Sequence, residues 1–551
     1  MNFLNDKNYK RAFIVLIAYQ FAIILYPGWQ IDDTAFFLIR LKDNIFGNVM
    51  NTFSLSHGSD RFTPFYYFGY QLISFFTLKP FFFFLYNLFA SILTLILLQS
   101  IRKKLSLDYW PFFLFIVFVP GFSDSFFQLV NPEKELILFW SIVLFAIISF
   151  SENRMDTIRS FFMIFIVLIT MIFSIFMKET SFIIITSFGL SLLILNFKKI
   201  LLYKQKFPIN NKVIFIIYSG LILSFIFLVL FLNSYNHIQS GSYLQKMNPS
   251  DSFIGHIKSS SKVFILYAIS DPLLVLSLPI LFLYSVYRRV IQKKENFTHK
   301  MGKWAPFIDA CAISALTLVS AYIVLGFHGY RYLLPVYPFG LIALTAYLQI
   351  YFPLIKKNMN RIYILVPSLL IVFLLVNSML SSVNTAVFYK MSSYNFMQYK
   401  DALIHKIDDI NSIKNTKVNF FLPGKKNIGY NAGRHRDILN FYEVNINSVN
   451  FEFNPINQNW IERGKKGDIE NFVQKGDLFL ITPNSTISQD QIMANLQGLK
   501  LREIMRTQSP NYFEIPEIRH FLKYLMLQRN PDALVHQMIY REVDFAIYQV
   551  I

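Results

Sequence analysis

The sequence predicts an all-α membrane protein with about eleven transmembrane helices and juxtamembrane helices on its outer face, followed by a small α/β extracytoplasmic domain. Three observations predict it. Of 551 residues, 54% are hydrophobic and 15% charged, whereas soluble domains carry roughly a quarter charged residues. Apolar runs approaching or exceeding the roughly 18 residues that mark a membrane helix recur along the first 381 positions. After Ser381 the composition changes, and residues 382–551 hold 20 Lys+Arg and 17 Asp+Glu. The chain therefore divides into a multi-span part, 1–381, and an α/β part, 382–551.

In order, the spans are Ala12–Tyr26, Phe81–Gln99, Tyr109–Val130, Leu136–Phe150, Ser160–Met177, Ser181–Phe197, Val213–Leu232, Val263–Tyr287, Ala305–Phe327, Tyr332–Phe352 and Ile362–Ser381. The first follows Lys7, Lys10 and Arg11 without a small-residue cleavage site, so it reads as an uncleaved span rather than a signal peptide. Phe65–Leu78 is apolar but only 14 residues long and ends at Lys79-Pro80, so it belongs at the outer surface. Between the first span and this run, Leu38, Leu41, Ile45, Val49 and Phe53 mark an amphipathic helix suited to the membrane surface. In the C-terminal part, Asn395–Ile410 and Glu517–Gln528 read as helices, and Val418–Leu422, Asp477–Thr482 and Phe545–Ile551 as strands.

The net charge of +19 is an orientation signal. Loops on the side of the N-terminus hold 22 Lys+Arg and the intervening loops 10, so the positive-inside rule puts the N-terminus in the cytoplasm and the region after Ser381 outside. A nucleic-acid partner is thereby excluded as the reason for the charge. The single cysteine, Cys311, excludes an intrachain disulfide framework and a cysteine-based zinc site. No Walker phosphate loop and no His-Glu-x-x-His motif occurs; the nearest Gly-rich stretch, Gly424 to Gly429, lacks the following Lys-Ser/Thr.

Candidate chemistry lies in the outer loops. Asp32-Asp33 follows the first span at the depth of lipid phosphates. Either carboxylate could serve as a general base, or one simply caps the surface helix. His57, Asp60 and Arg61 stand in the same loop as substrate contacts or as ordinary polar loop residues. Glu133-Lys134-Glu135 forms a short turn that is either solvated or available to a substrate or metal, and Lys178-Glu179 breaks two apolar runs either as an outward turn or as an ion pair facing a cavity. Arg331, flanked by His328, Tyr330 and Tyr332 at the end of a span, is either an interfacial anchor or a forked phosphate ligand. Gly433-Arg434-His435-Arg436 reads as a basic turn.

The order of these features resembles the GT-C superfamily of membrane glycosyltransferases, which includes protein O-mannosyltransferases and lipid A aminoarabinose transferases. The carrying residues are Asp32-Asp33 after the first span, Asp60 to Tyr67 before the second, Asn131-Pro132-Glu133, Lys178-Glu179-Thr180, and Tyr330 to Pro335, all within residues 1–381. The resemblance implies a sugar donor on a polyprenyl phosphate or diphosphate and an outer-face glycan, lipid or protein acceptor. It also implies an acid in the first outer loop, Asp32 or Asp33, as base, with inversion at the anomeric carbon. Arg331, Lys178 and His328 would then hold the donor phosphate, and His57, Asp60, Arg61, Glu133, Glu179 and Tyr330 would contact substrates. No cofactor is required, although the acids leave a divalent metal open. The implied setting is a bacterial inner membrane, in keeping with the Lys, Asn, Ile and Phe usage of an AT-rich genome. A multi-span polysaccharide polymerase is the alternative; a transporter or flippase ranks below it, because ionisable residues are sparse at mid-membrane and the chain has no similar halves.

Overall fold

The computed structural model describes residues 7–24, 27–30, 63–66, 68–107, 119–152, 156–197, 203, 205–237, 253–294, 296–327, 329–358, 361–413, 418–421, 428–447, 449–452, 473–483, 499–507, 512–526, 540–541 and 543–551. The helices are α1 (Lys7–Ile24), α2 (Phe68–Ser74), α3 (Pro80–Leu105), α4 (Pro120–Phe126), α5 (Glu133–Ser151), α6 (Thr157–Met177), α7 (Ser181–Phe197), α8 (Asn211–His237), α9 (Phe253–Ser270), α10 (Leu278–Val290), α11 (Asn296–Met301), α12 (Ala305–Val324), α13 (Tyr337–Asn358), α14 (Arg361–Ser412), α15 (Ile428–Phe441) and α16 (Ile518–Met526). Among the described residues, eight helical stretches are long and apolar enough to cross a membrane, and the shorter Ser181–Asn196 is equally apolar. The protein is a multi-pass, mostly helical membrane protein with a small C-terminal sheet.

Local chemistry sets the helix ends. Pro80 starts α3, where its missing N–H costs nothing, and Arg102, Lys103 and Lys104 fill the last turn, opposite in sign to the helix C-terminal dipole. Ser106 then turns the chain in the left-handed region, φ 52°. The Asp156 carboxylate accepts the Arg159 N–H at 2.8 Å and caps α6. Phe65–Leu78 forms only the seven-residue α2, followed by exposed Phe75 and Phe76, in keeping with a run too short to span.

Two expected spans differ from the sequence reading. Val263–Tyr287 is not one helix: α9 ends at Ser270, and a π-turn over Leu273–Ser277 opens the next helix after Asp271-Pro272. Proline supplies no N–H to the helical ladder, so the chain re-forms its bonds in a wider turn. Tyr109–Val130 lies partly outside the described residues; from Pro120 it is the short, fully buried α4.

The C-terminal domain carries a five-stranded sheet of order β2-β1-β3-β7-β4, with β1 (Val418–Phe421), β2 (Val449–Glu452), β3 (Leu478–Ile481), β4 (Leu501–Arg506) and β7 (Ala546–Val550). β1 pairs in parallel with β2 and β3, and β7 runs antiparallel to β3 and β4. A separate pair joins β5 (Tyr512–Phe513) to β6 (Tyr540–Arg541). The expected strands at 418, 477 and 545 and the expected helix at 517 are all present, with described bounds one or two residues inside the expected ones at one or both ends.

Helix α14 unites the two parts. Its 52 residues rise about 78 Å at 1.5 Å each. Leu369, Leu370 and Phe373 on its first half are exposed, as lipid-facing residues are, whereas Phe396, Tyr399, Leu403 and Ile407 on its second half are buried against Phe420, Leu478, Phe545 and Ile547 of the sheet. The same core includes Trp29, Tyr70 and Phe83, so membrane helices and sheet share one packed interior.

At the end of the bundle remote from the sheet, Arg289 and Asp309 are completely buried. The guanidinium donates to both carboxylate oxygens, at 2.5 and 3.2 Å, and Tyr203 and Tyr347 donate to the same carboxylate. Truncating one partner of such a pair strands the other, at about 3–5 kcal/mol. Asp309→Ala is expected to lower the unfolding temperature in detergent markedly, and the double variant Arg289→Met, Asp309→Leu to recover most of it; an unchanged midpoint in Asp309→Ala contradicts the pairing.

Candidate active site

Where the spans meet the sheet-bearing end, the polar segments of four elements converge. The N-terminus of α5 brings Glu133, the break between α6 and α7 brings Lys178, α4 brings Asp124, and a 3-10 turn over Tyr330–Val336 brings Arg331. Lys178 and Arg331 lie where the backbone leaves the α-helical path between apolar helices, Glu133 opens α5, and Asp124 lies within the short α4.

Lys178 donates to Glu133 Oε1, and both are buried. Arg331 Nε stands 4.0 Å from the same oxygen, with 32% of its side chain exposed. The Lys178 ammonium lies 4.3 Å from the centre of the Tyr332 ring and the Arg331 guanidinium 5.2 Å from it, so one aromatic ring serves two cations. Glu133 Oε2 has no hydrogen-bond partner among the described residues. Lys178 is thus turned inward and paired with Glu133 rather than set in an outward turn, and Glu133-Lys134-Glu135 is buried rather than solvated. Lys134 is consumed structurally: its ammonium donates to the carbonyls of Gln128, Leu129 and Asn131 at 3.2, 2.9 and 2.6 Å.

Asp124 ties the cluster to the long helix. It accepts the Arg331 backbone N–H at 3.2 Å and the Tyr389 hydroxyl at 2.6 Å. Asn131 Nδ2 donates to the Asp124 carbonyl at 2.7 Å. Gly121 permits this approach, because a Cβ there would stand 2.6 Å from the Tyr330 carbonyl oxygen. Gln30 fastens the chain on the other side of Tyr389, donating to the Phe127 carbonyl at 3.0 Å. Trp29 beside it donates to Tyr442 of the C-terminal domain at 3.1 Å.

A cavity of about 730 Å³ opens on the other side of Asp124, between α9, α14 and residues 514–522. Ile265, Leu266, Ile269, Phe388 and Leu522 make its apolar walls, and the exposed Lys258 and Lys262 bring positive charge. Tyr330 and Arg519 also line it, the guanidinium lying 5.8 Å from the tyrosine ring centre. Burial works against the charge of Arg519, but Tyr330, Glu517 and Glu514 outweigh it and raise its affinity for the proton.

Among the described residues, one group offers three metal-capable atoms within 4.8 Å of one another: Glu514, Glu517 and His520. His520 Nε2 already lies 2.8 Å from Glu514, and the Arg519 guanidinium 2.5 Å from Glu517. A cation is therefore built into the cluster, which reads as an ion-pair network rather than a metal centre.

Of the residues singled out from sequence, Arg331, Lys178, Glu133 and Tyr330 come together here; Glu179 is the half-buried neighbour of Lys178. Asp32, Asp33, His57, Asp60, Arg61 and His328 lie outside the described residues. Asp124, Tyr389, Lys258, Lys262 and Arg519 were not selected. The one available signal for Asp124 is a carboxylate within an apolar run, three residues after Pro120-Gly121.

Lys178→Met is expected to leave Glu133 buried without its counter-ion, at a cost of about 3 kcal/mol or more, read as a lower unfolding temperature; pairing it with Glu133→Leu should restore most of the loss. A Lys178→Met protein as stable as wild type would contradict the buried pair.

No protein-family model and no curated protein matches the chain. Among solved structures, the chain is similar to ArnT from Cupriavidus metallidurans bound to undecaprenyl phosphate, with 11% identity and a TM-score of 0.40 over 91% of this chain and 96% of that one.

Proposed function

We propose that the protein is a membrane glycosyltransferase that takes a sugar from a polyprenyl phosphate carrier and delivers it to an acceptor on the face of the membrane that bears the C-terminal domain. The observation that carries this reading is the buried cluster of Glu133, Lys178, Asp124 and Arg331 at that face, which leaves one guanidinium partly exposed. Carboxylates hold the cations in place from behind, and Arg331 offers its open edge to an anion in a forked geometry. The apolar cavity on the far side of Asp124 suits the hydrocarbon of an amphiphile whose charged end lies at the level of the cluster.

In this reading the acceptor hydroxyl or amine attacks the anomeric carbon, and its proton passes to Asp32 or Asp33. The bond between that carbon and the carrier phosphate oxygen breaks, and its electron pair leaves with the phosphate. Arg331, backed by Lys178 and joined by His328, stabilises the charge that develops there. Gln30 supports the location of the base: it is bonded to the α4 end and stands two and three residues before the two acids in the sequence. The Glu133 oxygen without a partner suits a sugar hydroxyl. His57, Asp60, Arg61, Glu179 and Tyr330 are assigned to substrate contacts on the same face, which is the outer face of a bacterial inner membrane by the positive-inside rule. In this reading the C-terminal part, 382–551, lies on that same outer face.

Asp32→Asn and Asp33→Asn proteins are expected to insert normally, and at least one to lose about 100-fold or more in transfer, as removal of a general base does. Transfer is measured as movement of radiolabelled sugar from lipid extracts to the membrane acceptor. Arg331→Ala is expected to weaken the apparent donor affinity at least tenfold with the fold intact. Full activity in both Asp variants would reject the enzyme reading, and unchanged donor affinity would return Arg331 to an anchoring role.

A further inference from the structure

The stretch from Phe513 through α16 is patterned inside out for the surface of a water-soluble domain. Glu514, Glu517 and His520 are buried, at 3%, 7% and 2% exposure, while Phe513, Ile515, Phe521 and Leu525 are exposed at 62%, 44%, 59% and 43%. Charged groups face protein and large apolar groups face outward. A segment gains from that arrangement when its outer surface meets hydrocarbon rather than water.

Its height along the bundle says which apolar medium it meets. The Ile518 N–H donates to Asn377 Oδ1 at 2.7 Å; Ile515 and Asn384 exchange two further bonds of 2.9 Å. Both asparagines belong to α14, which begins at Arg361. At 1.5 Å per residue, Asn377 stands about 24 Å above that start and Asn384 about 34 Å. With Arg361 taken as the opposite boundary of a hydrocarbon core about 30 Å thick, the segment comes down past the near boundary and its helix starts within the core. On the same turns of α14, Phe373, Val376 and Met379 are exposed, while Asn377, Ser378 and Ser381 are buried. α16 also packs against α9, which exposes Ile257, Phe264 and Ile265 interleaved with Lys258 and Lys262, as a helix crossing from lipid to water does. The outward apolar residues of 513–525 therefore continue the lipid-facing surface already present on α14.

We infer that residues 513–525 are a membrane-embedded lip of the C-terminal domain, with Phe521 and Leu525 inserted in the lipid leaflet on that side and the Glu514–Glu517–His520–Arg519 network turned toward the cavity. The lip gives the domain a direct contact with lipid beside the helix α14 to which it is bonded. This surface is separate from the sugar-transfer reading and stands or falls without it.

The test uses the full chain with Cys311→Ala, which removes its one cysteine, carrying Phe521→Cys or Leu525→Cys, spin-labelled and reconstituted in phosphatidylcholine–phosphatidylglycerol vesicles. Collision rates with oxygen, which partitions into lipid, and with a water-soluble nickel chelate are compared. Val372→Cys, exposed on α14, reports lipid, and Asn440→Cys, exposed on α15, reports water. Labels at 521 and 525 are expected to match Val372→Cys, with oxygen favoured several-fold over nickel relative to Asn440→Cys. A profile like that of Asn440→Cys at either position overturns the lip. So does shielding from both reagents, which would mean that protein covers the surface.

Discussion

The ion pair between Glu133 and Lys178 is the constraint on which the arrangement of this protein depends. Two charges removed from water cost several kcal/mol each unless they meet one another and satisfy their remaining hydrogen-bonding capacity. They come from positions 45 residues apart, on helices that touch along their length. Meeting requires that α5 begin where α6 ends, at the same depth. The cation–ring contacts with Tyr332 then fix the 3-10 turn against both, and the turn sets the height of Arg331. Asp124 closes the arrangement by holding the backbone of Arg331 on one side and Tyr389 of α14 on the other. A side chain that is a third exposed is thereby held by neighbours that are almost wholly buried, which is the preorganisation an anion site needs.

The long helix carries this organisation beyond the membrane. One face of α14 near Asn377 and Ser381 is polar and buried, and the next turns present Tyr389 to Asp124. A further two turns on, the helix enters the core of the sheet through Phe396 and Tyr399. No flexible connector intervenes, so a displacement of the domain acts directly on the residue that holds Asp124. The 513–525 segment returns from the sheet to the same helix, at Asn384 and Asn377, and closes a loop of contacts around the cavity.

How far the sequence reveals this depends on the range of the interactions. Membrane helices are legible because twenty apolar residues in a row satisfy the bilayer regardless of what packs beside them. The break at Asp271-Pro272 is marked in the sequence by those two residues alone, because apolar composition continues on either side of them. Glu133, Lys178 and Arg331 are recognisable as charges in short interruptions, but their meeting is a product of helix packing that no local pattern encodes. Asp124 is hidden in an otherwise apolar stretch. In the C-terminal domain, the inner strands β1, β3 and β7 stand out as apolar runs, whereas β4 is largely exposed and α15 carries Gly429 and Gly433 with few large apolar residues. The apolar spacing of α16 is visible, but its inverted burial requires knowing what lies beside it.

The most direct measurement is a structure of the protein with a polyprenyl phosphate bound in a lipid nanodisc. The account predicts phosphate oxygens within hydrogen-bond distance of the Arg331 guanidinium, with the Lys178–Glu133 pair intact behind it and the hydrocarbon along the apolar walls between α9 and α14. A phosphate bound elsewhere, with Arg331 still turned to Glu133 and solvent, would contradict it.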